Sequence, residues 1–103
     1  MEQISFFKKL APLILSGKKT GTIRLITECS YSPGQIVRAV AHENSNFICN
    51  LEVLGIEKVS LKTLNRSHAL AEGFFFIFSL KRVIRAIYPA EEDFGFISFK
   101  VVE

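Results

Sequence analysis

After Val59 the apolar residues change from a two-residue to a helical period, and that switch limits what this chain can fold into. Before it, Thr20 to Ile26, Gln35 to His42 and Phe47 to Val53 read as strands, parted by the turns Ser32-Pro33-Gly34 and Glu43-Asn44-Ser45-Asn46. Strands so closely spaced are expected to pair antiparallel. Beyond it, Ser60 is placed to cap a helix through Leu61, Leu64 and Ala71 to Gly73. Ser79 is placed to cap another bearing Leu80, Val83, Ile84 and Ile87, which Pro89 stops. The closing run Phe94 to Val102 suits a strand with two partly covered faces. Ahead of the strands, Phe6, Phe7, Leu10, Leu13 and Ile14 recur at helical spacing. They predict a first helix from about Ser5 to Gly17, kinked or split at Pro12. This order is that of an α+β domain.

The length of 103 residues allows one real core and not two, so a single domain over residues 1–103 is expected. A net charge of +3 favours anionic or nucleic-acid-related partners without demanding them. No apolar run approaches the roughly 20 residues of a membrane span. Met1-Glu2-Gln3 lacks the basic-then-apolar layout of a signal peptide, so no membrane association and a cytoplasmic location are expected. Cys29 and Cys49 stand apart from each other and from histidine at ligand spacing, which reads as free thiols and as no metal site.

The residues that carry chemistry concentrate at Gly17-Lys18-Lys19-Thr20-Gly21-Thr22-Ile23-Arg24, a junction between a helix and a strand that holds three cations, two hydroxyls and no acid. A phosphate loop of the Walker type is excluded, since Lys18 occupies the position directly before Lys19-Thr20 where that pattern requires glycine. Binding of phosphate or RNA stays open, because Lys8 and Lys9 with Lys18, Lys19 and Arg24 could form a basic patch; a merely solvated face is the plainer reading. A hydrolytic site needs a nucleophile, a proton acceptor and a donor to the developing oxyanion. Lys19, Thr22 and one carboxylate would suffice.

Glu72 is the carboxylate that local physics singles out. It sits in the last turn of its expected helix, where the negative end of the helix dipole opposes an anion. After it comes Phe74-Phe75-Phe76-Ile77-Phe78, more consecutive apolar bulk than one face of an element can hide. A core plug is the first expectation for this run; a lid over a ligand pocket and a dimer contact are the others. His42 and His68 read as surface or interface histidines, and His68, four residues before Glu72, is spaced to pair with it.

The run Ile14-Leu15-Ser16-Gly17-Lys18-Lys19-Thr20-Gly21-Thr22-Ile23-Arg24 resembles the signature of the small ASCH-domain proteins. The likeness continues through Phe6-Phe7, Phe47-Ile48-Cys49, Leu51-Glu52-Val53, His68-Ala69 with Glu72, Leu80 to Ile84 and Ile87-Tyr88-Pro89. It departs after Glu72, where small members carry a polar stretch in place of Gly73 and the phenylalanines. The resemblance implies a PUA-like β-barrel of mostly antiparallel strands with two to three packed helices. It also implies hydrolysis of the acetyl amide of N4-acetylcytidine, with Lys19 as general acid or base, Thr22 as nucleophile and Glu72 assisting, and with neither metal nor cofactor. Arg24, Thr20 and Lys18 are the residues expected to bind an acylated nucleoside. RNA is the other partner class the fold suggests, with a monomer or homodimer equally open.

Lysine near its ordinary pKa is a poor base, so Lys19 is expected to be desolvated, beside Lys18, Arg24 or apolar walls, and brought toward ~7 to 8. A rival arrangement has Glu72 take the proton while charged Lys19 steadies the oxyanion. Spacing adds that Lys19 lies in the turn, while Thr20, Thr22 and Arg24 share a strand face. Arg24 is then a candidate for the pyrimidine carbonyl or for a structural ion pair.

Overall fold

The computed structural model describes residues 2–102. Five strands form one mixed sheet in the order β1-β3-β4-β5-β2: β1 (Gln3–Phe6), β2 (Gly21–Leu25), β3 (Ile36–Ala41), β4 (Phe47–Val59) and β5 (Phe94–Val102). All neighbours pair antiparallel except β1 and β3, which run parallel with Gln3 opposite Arg38 and Phe6 opposite Ala41. Three helices accompany the sheet, α1 (Ala11–Leu15), α2 (Arg66–Glu72) and α3 (Ile77–Ile87).

The expected first helix is corrected. Gln3 to Phe6 alternates exposed and buried as a strand does, with Ile4 and Phe6 in the core and Ser5, the expected cap, inside the strand. Pro12 lies in the first turn of α1, where a missing N–H costs nothing, so it opens the helix and does not kink it. The strand expected at 20–26 is one residue shorter at each end, and that expected at 47–53 runs on to Val59. The register shifts between Val53 and Gly55, a bulge that bends so long a strand and helps the sheet curl.

Both expected caps are displaced as well. Asn65 caps α2, its Oδ1 accepting from the Ser67 amide at 2.8 Å, while Ser60 lies in the preceding turn, where its amide donates to Thr63 Oγ1. Ser79 falls inside α3, which begins at Ile77 without a side-chain cap. The phenylalanine run is not a core plug: Phe75, Phe76 and Phe78 are more than half exposed and lie against one another, and Phe74 and Ile77 alone of the five pack inward.

The sheet divides the core in two. Its inner face closes over Ile4, Phe6, Leu51, Val53, Ile97 and Phe99 with Ile14 of α1. Its outer face packs Ile23, Phe94 and Phe96 against Ala69 of α2 and Leu80 and Ile84 of α3. The curl brings the edge strands β1 and β2 toward each other without pairing them, leaving an open half-barrel whose seam runs between them.

Candidate active site

An unpaired strand edge presents amides and carbonyls that need partners. On β2 those groups belong to Gly21 and Ile23, and side chains satisfy them. The Ile23 amide donates to Glu72 Oε2 at 2.9 Å, the Gly21 carbonyl accepts from Lys19 Nζ at 3.0 Å, and the Ile23 carbonyl accepts from Arg24 Nη1 at 3.2 Å. Across the seam, Arg24 Nη2 donates to the Ser5 carbonyl of β1 at 2.6 Å. Charged side chains thus stand where a closing row of backbone hydrogen bonds would be.

Two local features bring Glu72 there. Thr20 donates its amide to the Ala71 carbonyl at 2.7 Å, docking the junction onto the last turn of α2 and satisfying one of its orphan carbonyls. Gly73 follows in the left-handed region at φ 93°, which turns the chain sharply away and leaves the Glu72 carboxylate facing β2. Gly21 is also required, because the Phe96 ring lies where a β-carbon would stand.

Lys19 is buried, 2% exposed. Its Nζ donates to Glu72 Oε1 and to Gly21 and lies 5.9 Å from the centre of the Phe6 ring. Burial, and after it the Arg24 charge, bring its pKa down from 10.5 to about 7. The Glu72 carboxylate in contact with the amine favours its charged form and so opposes this lowering.

Thr22 is 1% exposed. Its Oγ1 accepts from Arg24 Nη1 at 2.8 Å, leaving the hydroxyl proton free to be given elsewhere. Arg24 is half-buried and stacks its guanidinium 5.2 Å from the centre of the Phe6 ring. Phe6 is therefore an aromatic wall common to Lys19 and Arg24, and it joins the Lys19–Glu72 contact to the Arg24–Thr22 contact.

The other expected site residues fare differently. Thr20 is exposed and borders two hollows, one of about 220 Å³ lined also by Lys19, Ser16 and Phe99, the other of about 570 Å³ lined also by His68, Glu57 and Ser98. Neither hollow is lined by Thr22 or Glu72. Of the two, the smaller is the one lined by Lys19. Lys18 is exposed. His68 does not pair with Glu72: its Nε2 meets Glu57 Oε1 at 2.8 Å instead. Cys29 and Cys49 are free thiols. Among the described residues no cluster of His, Cys, Asp or Glu could hold a metal ion, and no helix is long and apolar enough to cross a membrane.

Sequence reasoning missed Phe6 and Ser5 as parts of this site. The alternation of Gln3-Ile4-Ser5-Phe6 was the available signal, weak because four residues fit a helix as readily as a strand.

Comparison with known proteins gives the family. The ASCH domain family model matches residues 2–103. An N(4)-acetylcytidine amidohydrolase of Moritella marina is 48% identical over 99 residues, 96% of this chain and 92% of that protein. Among solved structures, an ASCH domain from Lactobacillus crispatus JV V101 superposes with a TM-score of 0.79 at 16% identity, over 97% of this chain and 79% of that one. A protein from Enterococcus faecalis V583 gives 0.74 at 22% identity, over 99% and 80%.

Proposed function

This chain belongs to the ASCH domain family, and we propose that it is an N4-acetylcytidine amidohydrolase, cleaving the acetyl amide to give cytidine and acetate. The observation that carries the reading of the site is the buried Lys19 amine held by Glu72, sharing the Phe6 ring with the guanidinium that holds the Thr22 hydroxyl oxygen.

The chemistry follows from the proton capacities of these groups. A neutral Lys19 gives its two N–H protons to Gly21 and Glu72 and keeps its lone pair. With a pKa of about 7 it is present as both base and acid at neutral pH. It takes the Thr22 proton as Oγ1 bonds to the acetyl carbon. The ammonium so formed returns a proton to the exocyclic nitrogen as the C–N bond breaks, cytidine leaves, and the acetyl group remains as an ester on Thr22. Water, losing a proton to Lys19, then cleaves the ester; acetate departs and Thr22 regains its proton. Glu72 orients the amine throughout and is itself held by the Ile23 amide. Thr20, at the rim of the hollow beside Lys19, is the expected binding residue best placed to meet the acylated base.

The test is to incubate the protein with N4-acetylcytidine, following acetate and the ultraviolet change of the base. Acetate release is expected for the native chain and its loss in Lys19→Ala, Thr22→Ala and Glu72→Gln. Unchanged activity in all three variants would overturn this assignment of the site.

A further inference from the structure

The geometry points to Arg24 as a catalytic residue that acts on the nucleophile and not on the substrate: its guanidinium holds the Thr22 oxygen and stabilises it as an alkoxide. This rests on the reading of Thr22 as nucleophile.

The donor aimed at Thr22 carries it. A guanidinium has five N–H groups. In this chain Nη1 is directed to Thr22 Oγ1 and the Ile23 carbonyl, and Nη2 to the Ser5 carbonyl. One face of the group lies over Phe6, which keeps water from that side. Three of the five N–H groups are thus given to protein acceptors, both of those on Nη1 among them, and one of these already points at the Thr22 oxygen. The Thr22 hydroxyl faces the converse situation. Its oxygen already receives a charged donor at 2.8 Å, so negative charge formed on proton loss meets a partner in place, with no reorganisation.

A second consequence concerns Lys19. Arg24 is the charged neighbour that holds the amine pKa down. The titratable groups that face Arg24 are Lys19, Glu28, Cys29, Tyr31 and Tyr88; burial raises the last three, away from neutrality. Removing the Arg24 charge therefore moves the acid limb of the rate profile upward through Lys19.

The same contacts could serve only as a clasp between β1 and β2, and the test separates the two roles. Native, R24K and R24Q proteins are compared for kcat, KM and its pH dependence on N4-acetylcytidine, for melting temperature, and for acetylation of Thr22 by p-nitrophenyl acetate read by peptide mass. Loss of one donor to a developing anion costs roughly 10²- to 10³-fold. R24K is expected to lose kcat on that scale with KM within about twofold, because lysine cannot span the Thr22 and Ser5 oxygens together. R24Q is expected to lose as much and to shift the acid limb upward, and both variants acetylate Thr22 more slowly. A raised KM at constant kcat would make Arg24 a substrate contact and overturn the proposal. So would a lower melting temperature with kcat intact in the folded protein, which is the clasp alone. Should the native protein leave N4-acetylcytidine intact yet acetylate Thr22 in an Arg24-dependent way, the substrate reading falls and the role of Arg24 stands. No Thr22 acetylation in the native protein would sink the reading of Thr22 as nucleophile and the role of Arg24 with it.

Discussion

Helix α2 carries an acid–base pair at each end, and the two differ in one respect that matters. At its first turn, buried His68 meets Glu57; at its last, Glu72 meets buried Lys19. His68 has no valence to spare. The Asn65 amide can only donate, so Nδ1 accepts from it at 3.0 Å and Nε2 carries the proton given to Glu57. The ring is further fixed edge-on against Phe96, 4.7 Å between centres. Lys19 keeps a lone pair once it is neutral, and Thr22, three residues on, keeps a hydroxyl proton that its bond from Arg24 does not use. Burial and pairing are common to both ends; unspent proton capacity belongs to one.

The sharpest way to break this comparison is to exchange the effects of substitution. Removing Lys19 as methionine, or Thr22 as alanine, is expected to lower kcat/KM by at least ~10²- to 10⁴-fold, the usual contribution of a positioned acid or base. His68→Gln is expected to leave kcat within about threefold of native, since that end moves no proton. Comparable kcat losses at both ends, with each variant folded, would erase the distinction.

The pH dependence sharpens it further. If neutral Lys19 is the base, kcat/KM rises with pH through about 7 and levels above it. A rate that instead falls through the same range would favour the rival in which charged Lys19 steadies the oxyanion while Glu72 takes the proton. Stability has its own sign. Lys19 is depressed from 10.5 to about 7 in the folded state, so between those values the unfolded chain binds the extra proton. Stability therefore rises with pH across that window, by at most ~1.4 kcal/mol per unit, and the full cost of burying the ammonium is present below pH ~7. Melting temperature is expected to climb from pH 7 to 9 in the native protein and to lose that climb in Lys19→Met.

Much of this arrangement could be read from the residues, and what could not has a physical reason. The junction from Gly17 to Arg24 was legible because three cations and two hydroxyls without an acid make a poor core and a good site. Glu72 was legible as a misplaced charge at a helix end, but its meeting with Lys19, 53 residues away, is a tertiary event that no spacing encodes; the family resemblance supplied it. Strand β1 was lost to its shortness, and with it the seam that gives Arg24 its second partner. Ser60 and Asn65 are both good caps, and the choice fell to Asn65 because His68 returns the bond and Thr63 satisfies Ser60. The phenylalanine run misled because apolar character sets the cost of exposure without enforcing burial: Phe75 stays two-thirds exposed with Arg66 over its ring.

Smaller effects are expected from the inert end of α2, and they are effects on stability. Asn65→Ala removes the cap and should cost about 1 kcal/mol by denaturant unfolding. His68→Ala leaves the Asn65 amide without its acceptor and a gap beside Phe96, for about 1–3 kcal/mol.

The smallest is Glu57→Gln. The Glu57 side chain is 62% exposed, so water competes for the histidine proton and screens any charge. Glutamine can still offer an oxygen to Nε2. The change is expected to stay within about 0.5 kcal/mol, against the loss of activity expected of Glu72→Gln at the other end of the helix. The same carboxylate-to-amide exchange thus separates the two pairs. At Glu72 it alters a group enclosed with the amine whose proton it helps to hold; at Glu57 it alters a solvated partner of a ring already fixed by two other contacts. A large activity loss in Glu57→Gln would mean that the wider hollow beside His68 takes part in the reaction, and that the two ends of α2 serve a single site.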